Sequence, residues 1–269
     1  MVRLIESPTL DDALAFLGKD VAEKEARGEK NLIFCEDGLT LLAERAVLAP
    51  SGGTFLTEVS TFARFLSGER RVLSKHGSVM AVSAILSEAE GRLGCFSARA
   101  AEAVYETIAQ LSASRVSAEM LREGAAQTDG MLRVKLTDLA LVLDEYTAFL
   151  HRNGLLDENG YLALLPEKIA SGALADTNVT FFAFPSFTRQ AAEGVRAACL
   201  HARSVTGVFL AGAEAFYTGE GARIFRSVAR EADEVSETRL ACSLEGDARV
   251  LHGGLFSPDH YVRGGKRPS

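Results

Sequence analysis

Closely spaced cysteines are missing from this sequence of 269 residues: its four, Cys35, Cys95, Cys199 and Cys242, stand far apart. Structural zinc needs ligand pairs a few residues apart, and disulfide scaffolds are smaller and denser in cysteine. The four therefore read as reduced, mostly buried thiols of a cytoplasmic protein. A basic excess is missing too. With 29 Lys and Arg against 36 Asp and Glu, the formal charge is −7 and the pI about 5.4. That balance disfavours tight nucleic-acid binding by the chain as a whole and confines any such contact to a local patch. No run approaches the ~18 apolar residues of a membrane span, and the opening MVRLIESPTLDD lacks the apolar stretch of a signal peptide. His76, His151, His201, His252 and His260 are scattered, with neither metal-ligand nor triad spacing.

A phosphate-binding loop is also missing. Such a loop needs glycines after the first strand, so that backbone N–H groups wrap the phosphates, with a Lys and a Ser/Thr at fixed offsets. Here IESPTLDDALAFLGKD has no glycine between Ile5 and Gly18, and Asp11 and Asp12 stand where an approaching phosphate is repelled. Gly18-Lys19 reads as a dipeptide at a helix end, outside any such motif. The magnesium-holding carboxylate expected at the end of a neighbouring strand is absent as well: after Val179-Thr180-Phe181 come Phe182, Ala183 and Phe184. Phe182 thus occupies a degenerate magnesium-site position. No cofactor is expected in this chain.

What is present is a core of 47% apolar residues and an alternation of strands and helices typical of parallel α/β units. Residues 2–5 read as a strand, followed by a helix capped by Ser7 or Thr9; NLIFC (31–35) is a second, wholly buried strand, with a helix after it. TFLTEVS (54–60) is another strand, and TFARFLSG a short helix. From about 70 to 168 the strand signal disappears, and helices are predicted over 75–90, 97–112, 117–126, 130–152 and 161–170. Leu132, Leu136, Leu139, Leu143, Tyr146 and Leu150 form a seam that packs on other helices. Near Asn178 the α/β rhythm resumes with VTFF, a helix, SVTGVFLAG (204–212), a helix over 219–232 and TRLACSL (238–244). The acids of FCEDG (34–38) read as an N-cap. Four segments follow: 1–69, first part of an α/β domain; 70–172, a helical insertion; 173–245, its second part; 246–269, a linker or disordered tail.

The order of these parts resembles the first motor domain of superfamily-one DNA helicases of the UvrD/RecB kind, a RecA-like, P-loop NTPase-like sheet interrupted by a helical subdomain. NLIFCEDGLTLLAERAVL (31–48) is similar to their second strand and the helix after it, with a late arginine matched by Arg45, and VSTFARFL (59–66) to their Thr-Phe-His segment, with Ala63 replacing the histidine. The resemblance is nearer to the AddB (RexB) family. Phe182-Ala183-Phe184 takes the place of that family's Asp-Gly-Phe; in its Phe-Thr-Pro-Gln-Glu run Phe187, Thr188 and Gln190 match, while Arg189 replaces Pro and Ala191 replaces Glu. The stretch 132–166 looks like its long helix bearing Lys-Leu-x-Asp-Leu, here Lys135 to Leu139.

This resemblance implies a catalytically inactive helicase-like domain of a subunit that pairs with an AddA-like helicase-nuclease and DNA in double-strand-break repair. ATP and magnesium would be used by the partner motor. An iron–sulfur cluster is expected only in a C-terminal nuclease domain outside this sequence, which then looks like an N-terminal fragment. The DNA-facing candidates are Thr61 and Arg64, then Arg189 and Lys75, because hydroxyl and cationic groups at strand ends position phosphates. Two other readings stay open: a divergent active ATPase, and a stand-alone protein-interaction module.

Overall fold

The computed structural model describes residues 1–67, 72–211, 215–232 and 234–254. In chain order the elements are β1 (Val2–Ser7), α1 (Leu10–Glu25), β2 (Lys30–Phe34), α2 (Thr40–Ser51), β3 (Thr57–Ser60), α3 (Phe62–Phe65), α4 (Lys75–Glu88), α5 (Ala101–Ala113) and α6 (Ala118–Ala126). There follow α7 (Gly130–Asn153), α8 (Glu158–Leu162), α9 (Leu164–Lys168), β4 (Thr177–Phe182), α10 (Arg189–His201), β5 (Ser204–Leu210), α11 (Ala215–Arg230), β6 (Val235–Arg239) and α12 (Gly246–Gly254). The chain divides into two compact units. One comprises Met1–Phe65, Pro166–Phe187 and Ala191–Ser269; the other comprises Leu66–Leu165 with Thr188–Gln190.

The first unit is α/β, with a six-stranded sheet in the order β3-β2-β4-β5-β1-β6 and every pairing parallel. This architecture is compatible with a RecA-like fold, with β5 lying between β1 and β4. Side chains alternate across the sheet, and the sequence uses the alternation to make two different cores. Ile5, Ile33, Phe182 and Val208 face Ala13, Leu17 and Val21 of α1 and Ala43 and Val47 of α2. Their neighbours Phe34, Phe181 and Phe209 join a network of rings with Phe62, Phe65, Phe184, Phe187 and Phe225. Gly207 is needed on that side, since a Cβ there would lie 2.5 Å from Phe209 and 2.8 Å from Phe225. At the amino ends of the strands a polar ladder fixes register: Asn31 Nδ2 donates to Thr57 Oγ1 (3.2 Å), Asn178 Nδ2 to Asn31 Oδ1 (3.4 Å), and Ser204 Oγ to Asn178 Oδ1 (2.6 Å).

The second unit is helical. Its core joins Val82, Ile85 and Leu86 of α4, Val104, Tyr105 and Ile108 of α5 and Leu121 of α6 to Leu139, Val142, Leu143 and Tyr146 of α7. The expected seam of α7 is real from Leu136 onward, but Leu132 is 54% exposed, because it sits in the first turn, ahead of that core.

Several expectations change. The last strand is the polar Val235–Arg239, with the more apolar 240–244 outside it. Among the described residues it is an edge strand paired with β1, and Glu237 is held by Arg226 (3.1 Å) and Arg230 (2.8 Å). Gly246–Gly254, expected as linker or disordered tail, is helical, with Asp247 and His252 placed to suit the helix dipole; 255–269 lies outside the described residues. Gly18 is in the middle of α1, where a Cβ would come within 2.4 Å of Ala46 O; the glycine permits a close crossing of α1 and α2. Glu36 stands at a cap position before a short 3₁₀ turn but makes no side-chain cap hydrogen bond. The single helix expected over 161–170 is broken into α8, α9 and a π-turn around Gly172, whose φ is 96°. None of the four cysteines is in a disulfide, but only Cys35 is buried; Cys95 is exposed in the loop between α4 and α5, and Cys199 and Cys242 are half-buried.

Candidate functional site

In open parallel sheets ligands bind beyond the carboxyl ends of the strands, and four chain segments meet that edge in ways that bear on function. The first follows β1. Ser7 is fully buried and donates to Thr9 O (2.8 Å); Thr9 caps α1 by accepting Asp12 N–H (3.0 Å) and donates back to the Asp12 carboxylate (2.7 Å). Asp12 in turn accepts the Ser243 N–H at 3.2 Å, and Leu240 N donates to Glu6 O at 2.8 Å. Burial pushes the Asp12 carboxyl up, but the bonds from Ser243 and Thr9 outweigh it and hold its pKa below the ordinary value. An ionised carboxylate therefore sits in the first turn of α1, where a bound phosphate would need the positive end of the helix dipole for itself.

The second segment follows β2. Cys35 is buried, and burial, only partly countered by Arg64, pushes its thiol up to about 11, so it stays protonated and is no nucleophile at neutral pH. The third follows β3: Thr61 Oγ1 accepts the Arg64 N–H at 3.2 Å, bringing these two predicted DNA-facing residues into one turn, with the Arg64 side chain exposed.

The fourth segment follows β4. Phe182 is fully buried; its strand register runs Phe182 to Val208 to Ile5, so two strand spacings, roughly 10 Å, separate it from β1. Next comes Ala183, whose φ of 55° is left-handed and whose N–H donates to Val208 O (2.8 Å). Phe184 then stacks on Phe62 with ring centroids 5.3 Å apart and planes 8° from parallel, and Phe187 lies 4.9 Å from Phe184. α11 presses on the same turn: a Cβ on Gly221 would lie 2.0 Å from Phe184 O, and Gly221 N donates to Pro185 O (2.7 Å). Aromatic rings and a closely packed helix therefore occupy this part of the edge.

The other two predicted site residues belong to the helical unit. Lys75 begins α4 and pairs with Glu106 (2.7 Å) and Glu102 (3.8 Å), which balance its charge. Arg189 is exposed at the start of α10. Among the described residues, no group of three or more His, Cys, Asp or Glu side chains is placed to hold a metal. Sequence reasoning finds the Thr9 cap, but not its closure by Ser243: Ser243 lies 231 residues from Asp12 and leaves no local signal.

The family described as ADDB, N-terminal, matches residues 24–252. The chain belongs to that AddB family. No curated protein matches it in sequence. Membership makes this a domain of an AddB-type DNA-repair subunit, and no helix among its described residues is long and apolar enough to cross a membrane. The match begins in α1, so β1 and the closed turn after it lie ahead of the AddB-matched residues.

The left-handed backbone at Ala183 gives a physical reason for the glycine of the AddB-like Asp-Gly-Phe pattern, since only glycine adopts that conformation without strain. Ala183→Gly is expected to raise stability by about 0.5–1 kcal/mol, the relief of strain exceeding the extra chain entropy of glycine. Urea unfolding of the two proteins checks it; a lower midpoint for the glycine variant would show that Ala183 is unstrained.

Proposed function

We propose that this AddB domain is a catalytically silent, helicase-like scaffold that docks an AddA-type motor and helps guide one DNA strand during double-strand-break repair. The observation that carries the reading is the closed turn between β1 and α1, where Thr9, Asp12 and Ser243 satisfy one another at the place a phosphate would use. The burial of Phe182 among Ile5, Val208 and Leu17 supports it, because a side chain at that strand end is given to the core. Thr61 and Arg64 are the favoured strand-guiding groups: they share one turn at the carboxyl edge, and the guanidinium is exposed. Lys75 is the weakest of the four, since two glutamates already balance it.

The test uses the full chain with and without an AddA-type subunit. The expected result is co-elution with that subunit and no saturable binding of magnesium-ATP by the chain alone. Micromolar magnesium-ATP binding would overturn the silent reading, and failure to co-elute would overturn the scaffold reading. In the assembled complex, Arg64→Glu should reduce crosslinking of the chain to single-stranded DNA.

A further inference from the structure

The helical unit contains a cavity of roughly 590 Å³, and all of its lining residues belong to that unit. Val116, Leu150, Leu155 and Leu156 give it an apolar side. Asp157 supplies a charge. It is 5% exposed and caps the short helix α8, with Oδ1 accepting the Gly160 N–H at 2.7 Å. Its second oxygen, Oδ2, has no donor among the described residues, and no Lys, Arg or His among them pairs with it. Gln190 Oε1 and the Tyr146 hydroxyl are sealed inside the cavity wall, but Oδ2 is not: it stays accessible on the lining. A carboxylate that has lost most of its water without gaining a cation is left to be balanced by a ligand. Its charge is felt along the wall. Burial is the main reason that the Tyr146 phenol titrates far above its ordinary value, and the Asp157 carboxylate adds to the rise.

The remaining groups narrow the class of ligand. Thr147 Oγ1 donates its own proton to Leu143 O (2.7 Å), so it can offer a ligand only lone pairs. Arg115 and His151 are exposed, where water and salt screen them, whereas the buried carboxylate is screened much less. A donor cation is therefore favoured over an anion. A guanidinium fork uses both oxygens of a carboxylate, and Gly160 already holds one; an ammonium needs only a single point of negative charge. A divalent metal needs several oxygen ligands, and no group of three or more His, Cys, Asp or Glu among the described residues could hold one. The apolar side then suits an alkyl stem.

We propose that this cavity binds a primary alkylammonium group, its nitrogen donating to Asp157 Oδ2 and its stem lying against Val116, Leu150, Leu155 and Leu156. A lysine side chain of a partner protein and a free aliphatic amine share this chemistry. The site concerns the helical unit's own residues and holds whether or not the chain is a silent scaffold that docks a motor.

The probe is pentylammonium, titrated into the full chain at constant ionic strength while methyl resonances are followed by NMR. Saturable shifts are expected at Val116, Leu150, Leu155 and Leu156. 1-Pentanol, with the same stem and no charge, should bind the unaltered chain at least about tenfold more weakly, the worth of a charged hydrogen bond. Asp157→Asn keeps an oxygen for the Gly160 N–H and so keeps the cap, yet it should lose the same factor and bind the two probes alike. N-acetyl-lysine N-methylamide and 1,5-diaminopentane separate the sources: tighter binding of the first assigns the site to a protein side chain, and tighter binding of the second to a free amine. Three results would overturn the proposal: no saturable shift, pentanol binding the unaltered chain as tightly as pentylammonium, or a folded Asp157→Asn that binds pentylammonium as well as the unaltered chain does.

Discussion

Asp138→Ala is expected to destabilise the helical unit by about 3 kcal/mol or more, because it leaves several backbone donors without a partner. The Asp138 carboxylate, on a residue only 3% exposed, accepts N–H groups from Gly94 (3.0 Å), Cys95 (2.8 Å) and Phe96 (3.3 Å), and the Cys95 thiol at 3.2 Å. It pins the connection between α4 and α5 onto α7, and Gly94 belongs to the same device, since a Cβ there would meet Val134 at 2.4 Å. Desolvation and the neighbouring carboxylate push the Cys95 thiol up to about 11, so it remains a donor.

The same contacts set a pH dependence. Burial pushes the Asp138 carboxyl up, but the bonds from Gly94, Cys95 and Phe96 prevail and hold its pKa below the ordinary carboxylate value. A carboxylate with a depressed folded pKa contributes stability that is fully present above its unfolded value and is lost as pH falls through its folded value. The gap between the unaltered chain and Asp138→Ala should therefore be constant from neutral pH to about 5 and shrink below about 4. Urea unfolding at pH 7 and pH 3, with hydrogen exchange at residues 94–96, measures it. A gap unchanged at pH 3, or unaltered exchange, would show that the ionised carboxylate is not what holds the loop.

Much of the fold is legible in the sequence because its signals are local. The continuous apolar runs of β2, β4 and β5 announce strands covered on both faces, and the spacing of Leu136, Leu139, Leu143 and Tyr146 announces a packed helix. The strand Val235–Arg239 escapes such reading because an edge strand is stabilised by pairing and by ion pairs to α11, not by an apolar pattern. The role of Asp138 is hidden for another reason: the motif residue is visible, but its partners lie more than forty positions away. The same holds for Lys75, whose partner Glu106 is 31 residues distant, and for the closure of Asp12 by Ser243. Thr61 and Arg64 are readable as a pair because a capping turn spans only three residues.

Phe182→Asp, which restores a carboxylate at the strand end, is expected to cost on the order of 5 kcal/mol, enough to unfold a marginal domain. The ring is fully buried against Ile5, Ile33 and Val208 of the sheet and Ala13, Leu17 and Val21 of α1, so the substitution removes a large apolar side chain and leaves a charge with no water. Phe182→Leu should cost less, since it keeps most of the apolar volume. Magnesium decides between a filled core and a masked metal site. If the position had kept an open metal site, millimolar magnesium would bind the aspartate in the folded state and raise the unfolding midpoint by mass action. Burial in the core instead predicts a low midpoint that magnesium leaves unchanged, because the neighbouring turn is already closed by Thr9, Asp12 and Ser243. Thermal unfolding of the aspartate and leucine variants, with and without magnesium, measures both effects. A stable aspartate variant that gains further from magnesium would return this strand end to the metal-binding class.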